Sequence, residues 1–187
     1  MTENLFTNAL EGKKILLRAV EPEDIDILYR FENNTDIWQV SNTLIPFSKN
    51  TIRQYIQNAQ HDIYTAKQLR LMIDKTDKDG STLKTVGCID LFDFDPFHQR
   101  AGVGILINSK KDRQSGFAGE ALEILIKYAF ETLLLHQLFC NISKENTTSL
   151  KLFRKHGFEI TGEKKEWIKT PGGWENEYLL QLINSGN

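Results

Sequence analysis

The most informative segment of the chain is Gly104–Leu122, which reads GILINSKKDRQSGFAGEAL. It predicts an apolar strand that passes through a short polar loop directly into an amphipathic helix. That layout gathers free backbone N–H groups at a helix N-terminus, where the helix dipole also favours negative charge. Gly116 and Gly119, with the small Ala118 between them, leave the main chain open to a phosphate group. The segment therefore predicts a binding site for a phosphorylated ligand.

Apolar periodicity around this segment predicts a chain that mixes strands and helices. We expect strands at about 14–19, 68–75, 84–93, 100–107, 136–143, 158–169 and 174–183. We expect helices from Glu21, from Ser48 as far as Ile63, over about 117–134 and over about 146–156, with Gly157 as a left-handed C-cap. An early antiparallel meander followed by a strand–helix–strand–helix unit is typical of an α+β domain with a mixed sheet.

The composition, 40% hydrophobic and 26% charged, is typical of a soluble globular protein. The net charge of −2 gives no general attraction to nucleic acid or anionic lipid. No apolar run approaches the roughly 20 residues of a membrane span, and Met1–Leu5 lacks the features of a signal peptide. Cys88 and Cys140 lie in apolar strand-like segments, which favours reduced core thiols over a disulfide or metal site. We expect one cytoplasmic domain over 1–187, with its core at about 14–183 and no metal, nucleic-acid or membrane partner.

A glycine-rich loop by itself occurs in many phosphate-binding folds, so its spacing matters. The chain has no Gly-Lys-Ser/Thr of a P-loop and no Gly-x-Gly-x-x-Gly of a dinucleotide fold. Arg113-x-x-Gly116-x-Ala118 instead resembles the pyrophosphate-binding motif of the GNAT superfamily of acetyl-CoA-dependent N-acetyltransferases. The segment 146–158, Asn-x-x-Ser-x-x-Leu-Phe-x-x-x-Gly-Phe, resembles that family's next motif at the expected distance.

Three further features resemble the branch that holds spermidine N-acetyltransferases and the acetyltransferases of ribosomal-protein N-termini. They are Leu16-x-Arg18-Ala19, the connection Asp95–His98 and Gly173-Trp174. The resemblance implies the GNAT fold, with about seven strands in a mostly antiparallel sheet and about four helices. It also implies that the sheet splays between strands four and five, with acetyl-CoA in the gap.

The resemblance assigns residues to acetyl-CoA. The backbone of the strand Ile105, Leu106, Ile107 would pair with the pantetheine arm, and Phe153 would lie near the thioester sulfur. Asn146 and Ser149 would lie beside the pantetheine, although Asn146 is equally suited to cap its helix with Ser149 at the third position. The pyrophosphate would bind the backbone of the loop residues Arg113, Gln114, Ser115, Gly116, Phe117, Ala118 and Gly119.

Acetyl transfer needs a neutral amine, and an alkyl amine with a pKa of about 10 must first lose a proton. Asp90 and Asp93 are the candidate bases. By strand alternation Asp90 shares a face with Cys88, and Asp93 points the other way. Desolvation in an apolar strand would make Asp90 a better proton acceptor, and the alternative is a buried acid bonded to a neighbouring loop.

The chain's other acids favour a cationic acceptor. Glu32 and Asp36, which follow the first predicted helix, could form an acceptor wall together with Asp90, or could be a solvated helix end. His98 could be a base in the site or could cap its turn.

Phe153 departs from the family pattern, which carries Tyr at this position in many members. Phe has no hydroxyl to protonate the departing thiolate. That proton could come from Ser149, Tyr128 or water, or the thiolate could leave unassisted.

We therefore expect a cytoplasmic acetyltransferase whose acceptor is a small polyamine such as spermidine and whose amine attacks the thioester directly. The alternatives are a protein N-terminus, an aminoglycoside, or a non-catalytic acyl-CoA-binding regulatory module. Homo-oligomers are possible in this family, and the sequence does not fix the oligomeric state.

Overall fold

The computed structural model describes residues 9–41 and 43–186, and its centre is one seven-stranded sheet. The spatial order is β1-β2-β3-β4-β5-β7-β6. The strands are β1 Ile15–Ala19, β2 Leu69–Thr76, β3 Thr82–Asp95, β4 Arg100–Ile107, β5 Gln137–Ser143, β6 Glu159–Thr170 and β7 Gly173–Ile183. Every neighbouring pair is antiparallel except β4 and β5, so the expected mixed and mostly antiparallel sheet is confirmed.

Six α-helices and one short 3₁₀ turn, Pro22–Asp24, accompany the sheet in the described part of the chain. The helices are α1 Ile25–Glu32, α2 Thr35–Ser41, α3 Lys49–Asn58, α4 Ile63–Ala66, α5 Phe117–Glu131 and α6 Thr147–Lys155. None of them is both long and apolar enough to cross a membrane. The residues 1–8, on which the expectation about a signal peptide rests, lie outside the described residues.

Two helix boundaries differ from the expectation. The helix that begins after Ser48 stops at Asn58, and Asp62 starts the separate α4 by accepting the Thr65 N–H at 2.9 Å. A helix from Ser48 through Ile63 was therefore wrong, because a local aspartate cap competes with helix continuation. The helix expected over 117–134 ends at 131, and Leu134 has a left-handed φ of 53°.

Apolar side chains cover both faces of the central strands. α5 packs on one face over Leu71, Ile73 and Ile89, which are almost fully buried. The other face holds a smaller cluster that α1 and α3 cover, made of Leu28, Phe31, Ile52, Met72 and Cys88. Cys88 and Cys140 are free and buried, and burial raises the pKa of both thiols, that of Cys140 to about 12. Both sulfurs are therefore protonated at neutral pH.

β4 and β5 part after a short parallel segment, which produces the expected splay. They pair only from Arg100–Gly102 to Gln137–Phe139, and beyond that point β5 continues with β7 alone. The Phe92 ring lies against Phe139 at a centroid distance of 5.9 Å. A Cβ on Gly102 would lie only 2.3 Å from that Phe92 ring, so glycine at the fork makes room for the aromatic pair.

An arginine joins β1 to the turn that leads into α1. Arg18 donates to both oxygens of Asp24, at 2.7 and 2.8 Å, and through Nε to Asp74 at 2.7 Å. Asp24 also accepts the Glu21 N–H, and Asp74 accepts the Thr85 hydroxyl. Both aspartates are buried, and each charge is compensated by the same guanidinium.

This network makes a stability prediction. Burial by itself raises the pKa of Asp24, but the hydrogen bonds from Arg18 and from the Glu21 N–H hold that pKa below its ordinary value. Such a carboxyl contributes stability above an unfolded-state pKa of about 4, and the contribution is lost as the pH falls through the folded-state pKa. We expect Asp24→Asn to lower the free energy of unfolding by about 2 kcal/mol at pH 7.

Urea unfolding at pH 7 and at pH 3 measures this effect, with Asp79→Asn in an exposed turn as the control. The difference between Asp24→Asn and the parent should shrink at the lower pH. An equal loss at both pH values would contradict the assignment.

Candidate active site

The glycine-rich loop presents backbone N–H groups at the start of α5. Gly116 is the N-cap residue, with a left-handed φ of 88° that favours glycine. The Glu120 N–H donates to the Gly116 carbonyl at 3.1 Å. The N–H groups of the preceding Phe117, Ala118 and Gly119 belong to the first helical turn, which provides them with no carbonyl acceptor.

Side chains of the loop tie it to neighbouring strands. Arg113 folds back onto the end of β4, where Nε donates to the Ile107 carbonyl at 3.0 Å and Nη2 to the Asn108 carbonyl at 3.3 Å. The Glu120 carboxylate accepts the backbone N–H groups of Lys13 and of Lys14, the latter at 2.9 Å. These contacts hold the first turn of α5 in a fixed position between β4 and the start of β1.

A groove of about 930 Å³ lies along this first turn. Its lining includes Gln114 and the residues 116–119, and α6 closes it with Thr148, Leu152 and His156. Three lysines and four acids also line it: Lys13, Lys127, Lys155, Glu11, Asp112, Glu120 and Glu123. Because the side-chain charges are mixed, the attraction of this groove for phosphate rests on the backbone N–H groups.

The free edge of β4 faces the splay. The Asn108 N–H donates to the Val86 carbonyl of β3 at 3.1 Å. Polar groups alternate along a strand, so the backbone groups of Leu106 point to β3, and those of Ile105 and Ile107 point to the gap. β5 has already left β4 at Gly102. An extended ligand could therefore pair with β4 in the place of a strand.

A second cleft, of about 890 Å³, opens between the parted strands, and we call it the splay cleft. Its N-terminal wall includes Glu32, Arg70, Asp90, Phe92, Ile105 and Leu106. Its C-terminal wall includes Ser143, Asn146, Ser149, Phe153, Lys164, Trp167, Glu175 and Glu177. β4 borders both grooves, since Ile107 lines the first and Ile105 and Leu106 line the second.

One cation organises the N-terminal wall. Arg70 of β2 donates to both oxygens of Asp90, at 2.7 and 3.1 Å, and to Glu32 at 2.6 Å. Its guanidinium lies 5.3 Å from the centre of the Tyr55 ring. Burial alone would lower the pKa of Arg70, but Asp90 raises it well above its ordinary value, so Arg70 stays charged. Asp90 therefore lies in the cleft beside a permanent positive charge.

The helix α6 and its N-cap residue account for three of the predicted residues. The Asn146 side chain accepts the Ser149 N–H at 3.1 Å, which confirms its geometry as the N-cap of the helix. Phe153 is buried with its ring 5.0 Å from that of Phe158. Ser149 is the hydroxyl that lines the cleft beside Phe153, and Tyr128 of α5 lines neither groove.

Three predicted residues lie away from the splay cleft. Asp93 is exposed with a left-handed φ of 48°, because a bulge in β3 between Phe92 and Asp95 turns it to solvent. Asp36 is exposed and pairs with Lys110 at 2.9 Å. His98 is exposed in the β3–β4 turn, where its backbone N–H donates to the Asp95 side chain at 3.0 Å, so the residue that caps this turn is Asp95.

Several residues that line the cleft were not predicted from the sequence, namely Arg70, Ser143, Lys164, Trp167, Glu175 and Glu177. Glu175 and Glu177 stand two residues apart in a predicted strand, which is a signal that both face one side. No comparable signal marked Arg70, because its partners come from two other elements of the fold.

Comparison with known proteins identifies the family. Residues 14–159 match the Acetyltransferase (GNAT) domain family. This chain therefore belongs to the GNAT family, and it is an N-acetyltransferase.

The chain is similar to spermidine N-acetyltransferases of two bacteria. The chain is 24% identical over 172 residues to spermidine N(1)-acetyltransferase of Escherichia coli K12, covering 90% of this chain and 86% of the relative. Its fold matches spermidine N-acetyltransferase from Vibrio cholerae in complex with CoA and spermine, with a TM-score of 0.81, 20% identity and coverage of 93% and 98%. A dodecameric structure of the Vibrio cholerae protein matches with a TM-score of 0.74, 20% identity and coverage of 93% and 96%.

Proposed function

We propose that this chain transfers the acetyl group of acetyl-CoA to a primary amine of a polyamine such as spermidine, in the cytoplasm. The observation that carries the proposal is the charge of the splay cleft. Among the residues that the structure describes, five carboxylates line it, Glu32, Asp90, Glu145, Glu175 and Glu177, against two cations, Arg70 and Lys164. Such an excess of negative charge attracts a polycationic acceptor. The names of the spermidine acetyltransferase relatives support the same substrate class.

The two grooves suit the two ends of acetyl-CoA. The pyrophosphate would bind the N–H groups of the first turn of α5, at Gly116 to Gly119. The pantetheine arm would run along the free edge of β4 at Ile105 and Ile107. This path brings the thioester to Phe153 and Ser149 at the splay. The complex of the Vibrio cholerae relative with CoA supports the proposal of a CoA-type ligand.

The proposed chemistry is one addition and one elimination. The neutral amine nitrogen attacks the thioester carbon, and backbone N–H groups at the splay stabilise the oxyanion. The C–S bond then breaks, and the extra proton on the nitrogen is relayed through Ser149 or water to the departing thiolate. Asp90 would accept a proton from the incoming amine, directly or through water, despite its bonds to Arg70. Phe153 has no proton to give, so Ser149 or water would protonate the thiolate.

We also propose that the chain forms homo-oligomers. The support is the dodecameric structure of the Vibrio cholerae relative, which has the same fold.

The proposed function is tested by release of free CoA from acetyl-CoA with a panel of acceptors: spermidine, spermine, short peptides and aminoglycosides. We expect turnover with the polyamines and much weaker turnover with the others, because the cleft carries an excess of carboxylates. Preferred turnover of a peptide N-terminus would replace the proposed acceptor. CoA binding without turnover of any amine would overturn the proposal.

The phosphate site is tested by Gly116→Val. A side chain at position 116 would project at the first turn of α5. The φ of 88° at Gly116 disfavours any L-residue. Gly80→Val is the matched control, since Gly80 has a φ of 81° in an exposed turn with open space around its Cβ position. We expect similar losses of stability, but at least a tenfold loss of CoA affinity only in Gly116→Val, as measured by calorimetry. Equal CoA affinities would contradict this placement of the phosphates.

The base is tested by Asp90→Asn, with Asp93→Asn as the control. Asp93 lies on the same strand but is exposed, and its left-handed backbone suits asparagine. We expect Asp90→Asn to lower kcat about 100-fold while CoA affinity stays unchanged, and Asp93→Asn to have a much smaller effect on kcat. Full activity of Asp90→Asn would exclude Asp90 as the base, and a large loss in Asp93→Asn would restore that residue as a candidate.

A further inference from the structure

The carboxylates of the splay cleft differ in their partners. On the N-terminal wall, Glu32 and Asp90 share Arg70, so two negative charges face one positive charge at hydrogen-bond distance. Both carboxylates are held in fixed positions, and much of their charge is already compensated. Each of these two carboxylates already bonds a cation, so this wall is suited to orient a reacting amine.

On the C-terminal wall, Glu177 is compensated in the same way. It is buried, and it pairs with Lys164 across β6 and β7 at 2.9 Å. Lys164 also donates to Asn141 of β5 at 2.9 Å. Lys164 of β6 therefore ties Glu177 of β7 and Asn141 of β5 together.

Glu175 has a different environment. Its Oε2 accepts the Ser143 hydroxyl at 2.6 Å, and the Ser143 oxygen in turn accepts the Glu145 N–H at 3.2 Å. Within residues 9–38 and 43–186, no cationic side chain lies within 4.0 Å of the Glu175 carboxylate, and no donor bonds its Oε1. Glu175 is half-buried on the lining of the cleft. It is thus a fixed carboxylate with one oxygen available to a ligand.

An aromatic residue of β6 lines the same wall. Trp167 is 59% exposed although it lines the cleft, and the Lys164 Nζ lies 4.9 Å from the centre of its ring. A large aromatic face on the same wall as a carboxylate suits an alkyl-ammonium chain, because methylene groups pack on the ring and the charge meets the carboxylate. Among the described residues, Trp167 belongs to neither hydrophobic core cluster, so packing in the core does not explain the size of this exposed side chain.

We propose that Glu175 is a specificity-determining residue, which binds the second, non-reacting ammonium of a diamine or polyamine while Trp167 packs against the methylene chain. This inference rests on the proposed function, because it assigns the far end of the acceptor whose near end reacts at the splay. The enzyme then selects acceptors by the presence of a second positive charge. The N-terminal wall positions the reacting amine, and the C-terminal wall recognises the remainder of the substrate.

The test compares 1,4-diaminobutane with 1-aminobutane, two acceptors with the same carbon chain. Only 1,4-diaminobutane carries a second ammonium. In Glu175→Gln the amide oxygen can still accept the Ser143 hydroxyl, but the charge is lost. We expect kcat/KM for the diamine to fall about tenfold more than kcat/KM for the monoamine. A merely structural role for Glu175 would lower both values equally.

Two further variants support the comparison. Glu163→Gln removes a charge from the same strand pair, at a carboxylate that bonds Lys144 and Asn176 and does not line the cleft. It should leave the ratio between the two acceptors as in the parent. Glu175→Asp keeps the charge and should retain most of the preference for the diamine. If Glu175→Gln fails to fold, the ratio of kcat/KM for the two acceptors is measured in Glu175→Asp and in Trp167→Ala instead.

Failure of this inference can be distinguished from failure of the proposed function. If the parent enzyme acetylates amines but Glu175→Gln keeps the parent's preference for the diamine, the inference is wrong and the function stands. If the parent acetylates neither amine, the proposed function fails. The role of Glu175 is then decided by binding of 1,4-diaminobutane, which is measured by tryptophan fluorescence with Trp167→Phe as the reference. Weaker binding in Glu175→Gln than in the parent supports the role, and equal binding overturns it.

Discussion

The parting of β4 from β5 is the constraint on which the rest of the molecule depends. A parallel pair is held together by only three residues on each strand, with Phe92 and Phe139 packed at the fork over Gly102. Beyond the fork, β4 keeps β3 as its partner and β5 keeps β7, so each half of the sheet remains satisfied. The gap therefore costs few backbone hydrogen bonds, and it leaves the edge of β4 available to a ligand.

Compensated charge holds the side chains of the cleft in place. Arg70 pairs with Glu32 and Asp90, Lys164 pairs with Glu177, and these ion pairs keep the carboxylates at the surface of the cleft. Without the cations, the acids would repel one another and turn to solvent. With them, the cleft carries a moderate negative charge in fixed positions. Glu175, which is half-buried and has no cation partner among the described residues, therefore differs from Glu32, Asp90 and Glu177.

Local signals in the sequence predicted the elements that depend on neighbouring residues. The Ser48 and Asn146 caps and the left-handed Gly157 stand where the pattern placed them, because each depends on residues within one turn. The helix α2 was not predicted, and α3 was predicted too long. In both cases short helices break at local caps, and apolar periodicity over a longer window conceals such breaks.

By itself, the sequence determined the glycine-rich loop at the start of α5, the helix cap at Asn146 and the family. These properties follow from contiguous residues or from the order of motifs along the chain. Only the tertiary structure decided which charged groups face one another in the cleft. Arg70 meets Glu32 from 38 residues away, and Ser143 meets Glu175 from 32 residues away. Pairings of that kind depend on strand register and on a bulge that turns Asp93 outward, and neither is written in any local pattern.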